Sequence, residues 1–321
     1  MHSNFQPNSF VFPMNFTELN FLQEHDYSYT NIISQTSNCQ IMKVYSTKYQ
    51  TFFAMKKILK ENYNNKELEI LKSVHHSSII YLYDFLEFDD YLYMVYEYCP
   101  KSVNDIIVSK EHLSHSQLQH LIFQILSSLK VLHDYSISHG DFKPSNLLID
   151  PNGRVKLSSF DLSTILNETC TISNNYRGTL LFMAPEIYNK SGYDPIKADI
   201  WALGVTLFAL VTKEYPFYGE DQMTLMQLVS KGVFAKYKIM DDDLRKLISK
   251  CLEVNPQFRP TIDDLLNSSY FDTYIPPNYQ KRSRSRISTA QASLILKPSL
   301  SNYSLTLPRA APLPIRRRQS K

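Results

Sequence analysis

The sequence predicts an α+β protein with a small strand-rich part followed by a larger helical part. Three observations carry this. Between residues 27 and 98 the apolar residues come in short runs of strand length, among them Phe52-Phe53-Ala54-Met55 and Tyr91-Leu92-Tyr93-Met94-Val95-Tyr96. After Ser114 the spacing changes, and Leu118, Leu121, Ile122, Ile125, Leu129 and Leu132 recur with the 3.6-residue period of a helix. Finally, 321 residues are enough for about two packed units. A hydrophobic share of 43% supports a real core and excludes global disorder.

Taken in order, residues 1–26 mix Asn, Pro and Phe without a period and are an N-terminal extension, either docked through Phe10, Phe12 and Phe16 or loose. A hairpin and a third strand follow, ending at Lys56. Glu67, Ile70, Leu71 and Val74 share one face of a helix at i, i+3, i+4 and i+7. Residues 79–98 return to strand. Ser114 with Gln117 forms a capping box that starts the next helix. The longest apolar run, residues 201–211, has 11 residues, too few to cross a bilayer, and is read as a buried helix.

Charge is unevenly spread. The chain has 34 basic and 31 acidic residues, but none of the acidic and ten of the basic ones, from Lys281 to Lys321, follow Asp272. That leaves 24 basic against 31 acidic before it, so a body of −7 carries a tail of +10. A uniformly basic nucleic-acid binder has a different pattern, and no specific nucleic-acid binding is expected. Residues 273–321 are Ser-rich and expected to be disordered, with an acidic surface or an anionic membrane as partner, or as a solvated linker. Within them Ser288 and Ser320 follow arginines and suit basic-directed kinases. The four cysteines are widely separated with no CxxC, pointing to reduced thiols. The first residues show no secretory pattern, and a cytoplasmic or nuclear protein is expected.

The rest of the chain is organised around residues 138–163, SHGDFKPSNLLIDPNGRVKLSSFDLS. His139, Asp141, Lys143 and Asn146 fall in one loop. The run Leu147-Leu148-Ile149, the turn Asp150-Pro151-Asn152-Gly153 and the strand Val155-Lys156-Leu157 follow. A carboxylate, a cation and an amide so placed suit accepting a hydroxyl proton, neutralising a phosphate and holding a metal ion. The stretch resembles the catalytic and metal-binding loops of eukaryotic protein kinases, whose pattern is H-R-D-L-x-x-x-N followed by D-F-G.

The resemblance runs from about residue 27 to residue 271 and implies the bilobal kinase fold. Its domain would span 27–272, with an N-lobe to about residue 99 holding one αC helix and a helical C-lobe over 100–272. It implies Asp141 as catalytic base, Lys143 as the mark of a Ser/Thr enzyme and Asn146 as a metal ligand. Lys56, ending Ala54-Met55-Lys56, would contact phosphates and pair with Glu67. Only 11 residues separate the two, so the αC helix must start near residue 64 or 65. Ile41, Ala54 and Leu148 would sandwich adenine, Tyr96 would guard the back of its pocket, and Glu97-Tyr98-Cys99 would be the hinge. Asp199 would anchor the catalytic loop, and Glu186 would pair with Arg259. Leu71, Leu82, His139, Phe160 and Asp199 match the stack joining the lobes in active kinases.

The departures govern the functional expectation. Ser159-Phe160-Asp161 replaces D-F-G, and a neutral hydroxyl is a poor Mg²⁺ ligand. Asp161 restores a carboxylate two positions late, where chain direction should aim it elsewhere. Ser34, Thr36 and Cys39 replace the glycines of the phosphate loop, in a chain with only seven glycines, so an ordinary hairpin with a polar tip is expected there. Gly140 replaces the Arg that meets an activation-loop phosphate, which makes activation through Thr169, Thr171 or Ser173 unexpected. Val103 and Ser145 stand where basic-directed kinases often keep acidic residues, and the sequence names no substrate. Weak ATP binding with little help from Mg²⁺ is expected. The reading is a pseudokinase or strongly attenuated Ser/Thr kinase acting through protein partners; the alternative is an active Ser/Thr kinase with unusual metal use.

Overall fold

A computed structural model describes residues 14–63, 65–166, 172–173, 177–188 and 192–274, and the structural statements below concern these. The chain divides after Tyr274. Residues 275–321, the tail expected to be disordered, with Ser288 and Ser320, lie outside the described residues.

The first element is a helix, α1 (Phe16–Glu24), capped by the Asn15 side chain, which accepts from the Glu18 N–H. Strands β1 (Tyr27–Gln35), β2 (Cys39–Ser46) and β3 (Thr51–Leu59) form a meander. Helix α2 (Lys66–Ser73) interrupts before β4 (Leu82–Phe88) and β5 (Tyr91–Glu97). The five strands form one antiparallel sheet in the order β1-β2-β3-β5-β4.

Alternation along β3 assigns its two faces. Phe53, Met55 and Lys57 look toward α1, where Leu22, Tyr27, Met42, Val44, Tyr93 and Val95 complete a small core. Ala54 and Lys56 look the other way, toward α2 and the larger core. The extension is thus not uniformly separate from the domain: α1 lies on the sheet, with Phe21 stacked on Phe88 at 4.5 Å and Glu18 bonded to Lys57 and Tyr93.

The remainder is mostly helical. It comprises β6 (Lys101–Ser102), α3 (Val103–Val108), α4 (His115–Asp134), β7 (Ile137–Ser138), β8 (Leu147–Ile149), β9 (Val155–Leu157), β10 (Thr164–Ile165) and α5 (Pro185–Tyr188). Then come α6 (Pro195–Thr212), α7 (Gln222–Lys231), α8 (Asp242–Cys251) and α9 (Ile262–Leu266). Helix α4 starts at the Ser114–Gln117 capping box, and its apolar stripe faces the core. Helix α6 carries the 11-residue apolar run and is apolar on all sides because the protein surrounds it, with 78% of it buried. At Gly204 any Cβ would come within 2.7 Å of the Cys251 Cβ, so the glycine lets α8 lie close against α6. The fold is α+β, a five-stranded antiparallel lobe joined to a helical one.

Candidate active site

Helix α6 sets the loop between β7 and β8. Its Asp199 carboxylate is buried and accepts from the N–H groups of His139 at 2.7 Å and Gly140 at 3.0 Å, so two consecutive amides are fixed by one side chain. Gly140 adopts φ 77, and a Cβ there would meet the Leu162 carbonyl oxygen at 2.5 Å. The missing arginine therefore leaves room for residues 160–163 to lie directly on the loop.

From this base the functional side chains converge. The Asp141 carboxylate lies 2.6 Å from the Lys143 ammonium and accepts from the Thr179 hydroxyl at 2.8 Å and its N–H at 3.1 Å. Lys143 also donates to the Thr179 hydroxyl at 2.7 Å. Asn146 donates through Nδ2 to the Asp141 carbonyl and carboxylate, at 2.8 and 3.2 Å. Its amide oxygen accepts from nothing among the described residues. Thr179 has no role assigned from the sequence; it lies seven residues before Glu186, the residue expected to pair with Arg259.

Across the cleft, Lys56 bonds Glu67 at 2.7 Å, and the Tyr96 hydroxyl donates to the other Glu67 oxygen at 3.0 Å. The helix does start late, at Lys66, so the 11-residue spacing suffices. Burial pushes the Glu67 carboxyl up, against the pull of Lys56. Burial opposes the Lys56 charge, but Glu67 and then Asp161 outweigh it and hold the ammonium above its ordinary range.

Asp161 is the correction. Expected to point elsewhere, its carboxylate lies 3.0 and 3.1 Å from the same Lys56 ammonium. Ser159 takes φ 68, a left-handed turn that redirects the next residues, and its hydroxyl has no partner among the described residues. Phe160 is fully buried, 5.6 Å from the His139 ring.

Ile41 on β2, Ala54 on β3 and Leu148 on β8, expected to sandwich adenine, are each partly exposed. In the stretch expected to form the hinge, the Glu97 carboxylate is occupied by the Lys156 ammonium at 2.8 Å and the Tyr81 N–H at 2.9 Å, while burial and then Glu97 push the Cys99 thiol up to about 12. The hairpin tip is self-bonded. Thr36 Oγ1 accepts from the N–H groups of Asn38 and Cys39, and the Thr36 N–H donates to the Cys39 carbonyl. Amides that a phosphate clamp would use are taken.

The donor chemistry fits a nucleotide phosphate with a hard divalent cation. Lys56 would supply the cationic contact, and the oxygens of Asn146, Asp141 and Asp161 are of the hard type. Among the described residues no three His, Cys, Asp or Glu side chains form a metal cluster.

The supporting residues are also in place. Leu71 and Phe160 belong to the main core, Leu82 packs against it partly buried, and His139 and Asp199 are buried. Arg259 makes a bidentate pair with Glu186 at 2.6 and 2.7 Å and sits over Trp201. Ser173 is held in a bridge to Tyr193, and Thr169 and Thr171 lie outside the described residues.

The protein kinase domain family matches residues 27–271. The chain is 32% identical over 208 residues to CBL-interacting serine/threonine-protein kinase 18 of Arabidopsis thaliana, covering 64% of this chain and 40% of the relative. It is 31% identical over 219 residues to serine/threonine-protein kinase cds1 of Schizosaccharomyces pombe, covering 65% and 47%. It is 30% identical over 239 residues to CBL-interacting protein kinase 12 of Oryza sativa subsp. japonica, covering 74% and 43%. The matched region spans less than half the length of each of these relatives.

Proposed function

The chain belongs to the protein kinase family, and from that premise we propose that it is a strongly attenuated Ser/Thr protein kinase, holding ATP in the cleft and acting on a hydroxyl of a protein substrate. The observation that carries this is the set Asp141, Lys143 and Thr179, mutually bonded at 2.6 to 2.8 Å on a loop fixed by Asp199. ATP with a divalent cation supplies the transferable phosphoryl group and part of the neutralising charge.

The chain's own residues do the rest. Asp141 is placed to orient a hydroxyl and accept its proton, and Lys143 to balance charge on the group being transferred. The names of the relatives and Lys143 favour Ser/Thr over Tyr. Attenuation follows from the serine at position 159 and from the self-bonded hairpin tip, because positioning and charge supply most of this catalysis. A second reading is a binding module without transfer that signals by shape, and the occupied tip amides at Thr36 to Cys39 favour it.

Transfer from labelled ATP to a generic protein substrate and to the chain itself, with Mg²⁺ and with Mn²⁺, tests the proposal. Slow transfer that falls about 100-fold or more in Asp141→Asn is expected, the usual share of a general base. Transfer indifferent to Asp141→Asn overturns it. An absence of transfer, with ATP still raising the melting temperature, selects the binding module.

A further inference from the structure

We propose that Asp161 is the metal-facing carboxylate of this cleft, taking the place that the serine at position 159 leaves empty and holding a divalent cation together with nucleotide phosphate. The inference rests on the reading of the cleft as a nucleotide site and assigns its metal contact to a residue of this chain.

The backbone explains why Asp161 faces inward. Residue 160 is anchored by burial of its ring. Leu162 is held where its carbonyl lies against Gly140, at a distance that no Cβ would permit. Ser163 donates from its hydroxyl to the His139 carbonyl at 3.0 Å, and its N–H donates to the Phe160 carbonyl at 3.1 Å. Residues 160–163 are therefore a tight turn clamped to the catalytic loop on both sides of Asp161. Ser159, in the left-handed region at φ 68, enters that turn. The Asp161 carboxylate then reaches Lys56.

Charge supplies the second argument. Lys56 is one cation between two carboxylates, Glu67 and Asp161. The Glu67 side chain is 3% exposed and also accepts from Tyr96, whereas the Asp161 side chain is 43% exposed. Of the two carboxylates, Asp161 is therefore the one that solvent, and with it a cation, can reach. On the catalytic loop, Asn146 spends its N–H groups on Asp141 and keeps its carbonyl oxygen unengaged among the described residues. A carboxylate and an amide oxygen, completed by phosphates and water, match the hard-oxygen demand of Mg²⁺ or Mn²⁺. The rival view makes Asp161 a plain counter-ion that competes with phosphate for Lys56.

The two views separate on nucleotide binding by the full chain, measured with fluorescent ADP and ATP analogues in EDTA, in Mg²⁺ and in Mn²⁺, with bound Mn²⁺ followed by electron paramagnetic resonance. The parent is expected to bind more tightly with metal than in EDTA. Asp161→Asn is expected to lose about 10-fold or more in Mn²⁺ affinity in the presence of nucleotide, a typical loss when a metal site is disturbed, with binding in EDTA no weaker. A metal increment that survives Asp161→Asn overturns the inference, and so does tighter binding in EDTA with the increment intact. If the parent binds no nucleotide under any condition, the nucleotide reading itself fails, which is a different result. Should Asp161→Asn melt below the assay temperature, Asp161→Glu is read instead: the charge remains but is displaced by one methylene, a weakened increment supports the inference, and an unchanged one overturns it.

Discussion

His139 shows how one side chain can set the behaviour of its neighbourhood. The Asp141 N–H donates to its Nδ1 at 3.2 Å, which requires the proton on Nε2, and Nε2 then donates to the Ser158 carbonyl at 3.0 Å. Both ring nitrogens are used by the neutral ring, and a second proton would face the Asp141 N–H. Burial holds the ring below the ordinary value of 6.5, outweighing the attraction of Asp199. With the folded value depressed, this contribution to stability is complete above pH 6.5 and is lost as pH falls below it, because only the unfolded chain then takes the proton. The slope is bounded by about 1.4 kcal/mol per pH unit. Thermal melting between pH 7.5 and 5 checks this: His139→Phe, which keeps a ring in the stack, is expected to flatten the acid loss. Some slope remains from His76 and His120, whose values burial also lowers.

At the scale of elements, β3 places consecutive lysines on opposite faces of the sheet, and each meets a glutamate from a different helix. Lys56 pairs with Glu67 of α2 and Lys57 with Glu18 of α1, both at 2.7 Å. Helix α2 has only eight residues and an N-cap without a side-chain bond, so its own hydrogen bonds hold it weakly. Helix α1 braces the reverse side of the strand that α2 depends on. Glu18→Ala removes a pair whose side chains are 1% and 3% exposed, and also the acceptor of the Tyr93 hydroxyl. A loss of about 3 kcal/mol in urea unfolding is expected, the low end for a broken buried pair because Lys57 keeps the face of Tyr91 at 4.2 Å. Hydrogen exchange in β3 should quicken before that in α6. Unchanged exchange in β3 would show that α1 is not a brace.

Over the whole domain, Phe160 is one link between the lobes, beside the Ile79–Leu157 bridge and the Lys156–Glu97 ion pair. It is buried against His139 in the main core, while its neighbour Asp161 holds Lys56 in the sheet. One short segment therefore ties the catalytic loop to β3 and, through Glu67, to α2. Phe160→Ala is expected to cost about 3–5 kcal/mol, the usual range for emptying an aromatic site in a core. It should also uncouple the lobes, splitting one calorimetric transition into two with the sheet melting first. A single transition merely shifted downward would place the coupling elsewhere.

The sequence by itself determined the lobes, most elements and the catalytic loop, because those signals are local. The period of Leu118 to Leu132 and the Ser114–Gln117 box mark α4 wherever it lies, and Asp141, Lys143 and Asn146 share one loop however the rest folds. Glu186 with Arg259, and Asp199, were legible through resemblance, since the pattern of their surroundings is kept. Three features were decided only by the tertiary structure: Asp161 on Lys56, Thr179 on Asp141 and Lys143, and Glu18 on Lys57 and Tyr93. Asp161 and Lys56 are 105 residues apart, Thr179 and Asp141 38, and Lys57 and Glu18 39. Contacts at such separations leave no period in the sequence. For Asp161 the direction of one carboxylate depends on a left-handed residue at 159 and on the close approach of Leu162 that Gly140 permits. Counting positions from a motif assumes an unchanged backbone, and here the side chain's direction came from the turn.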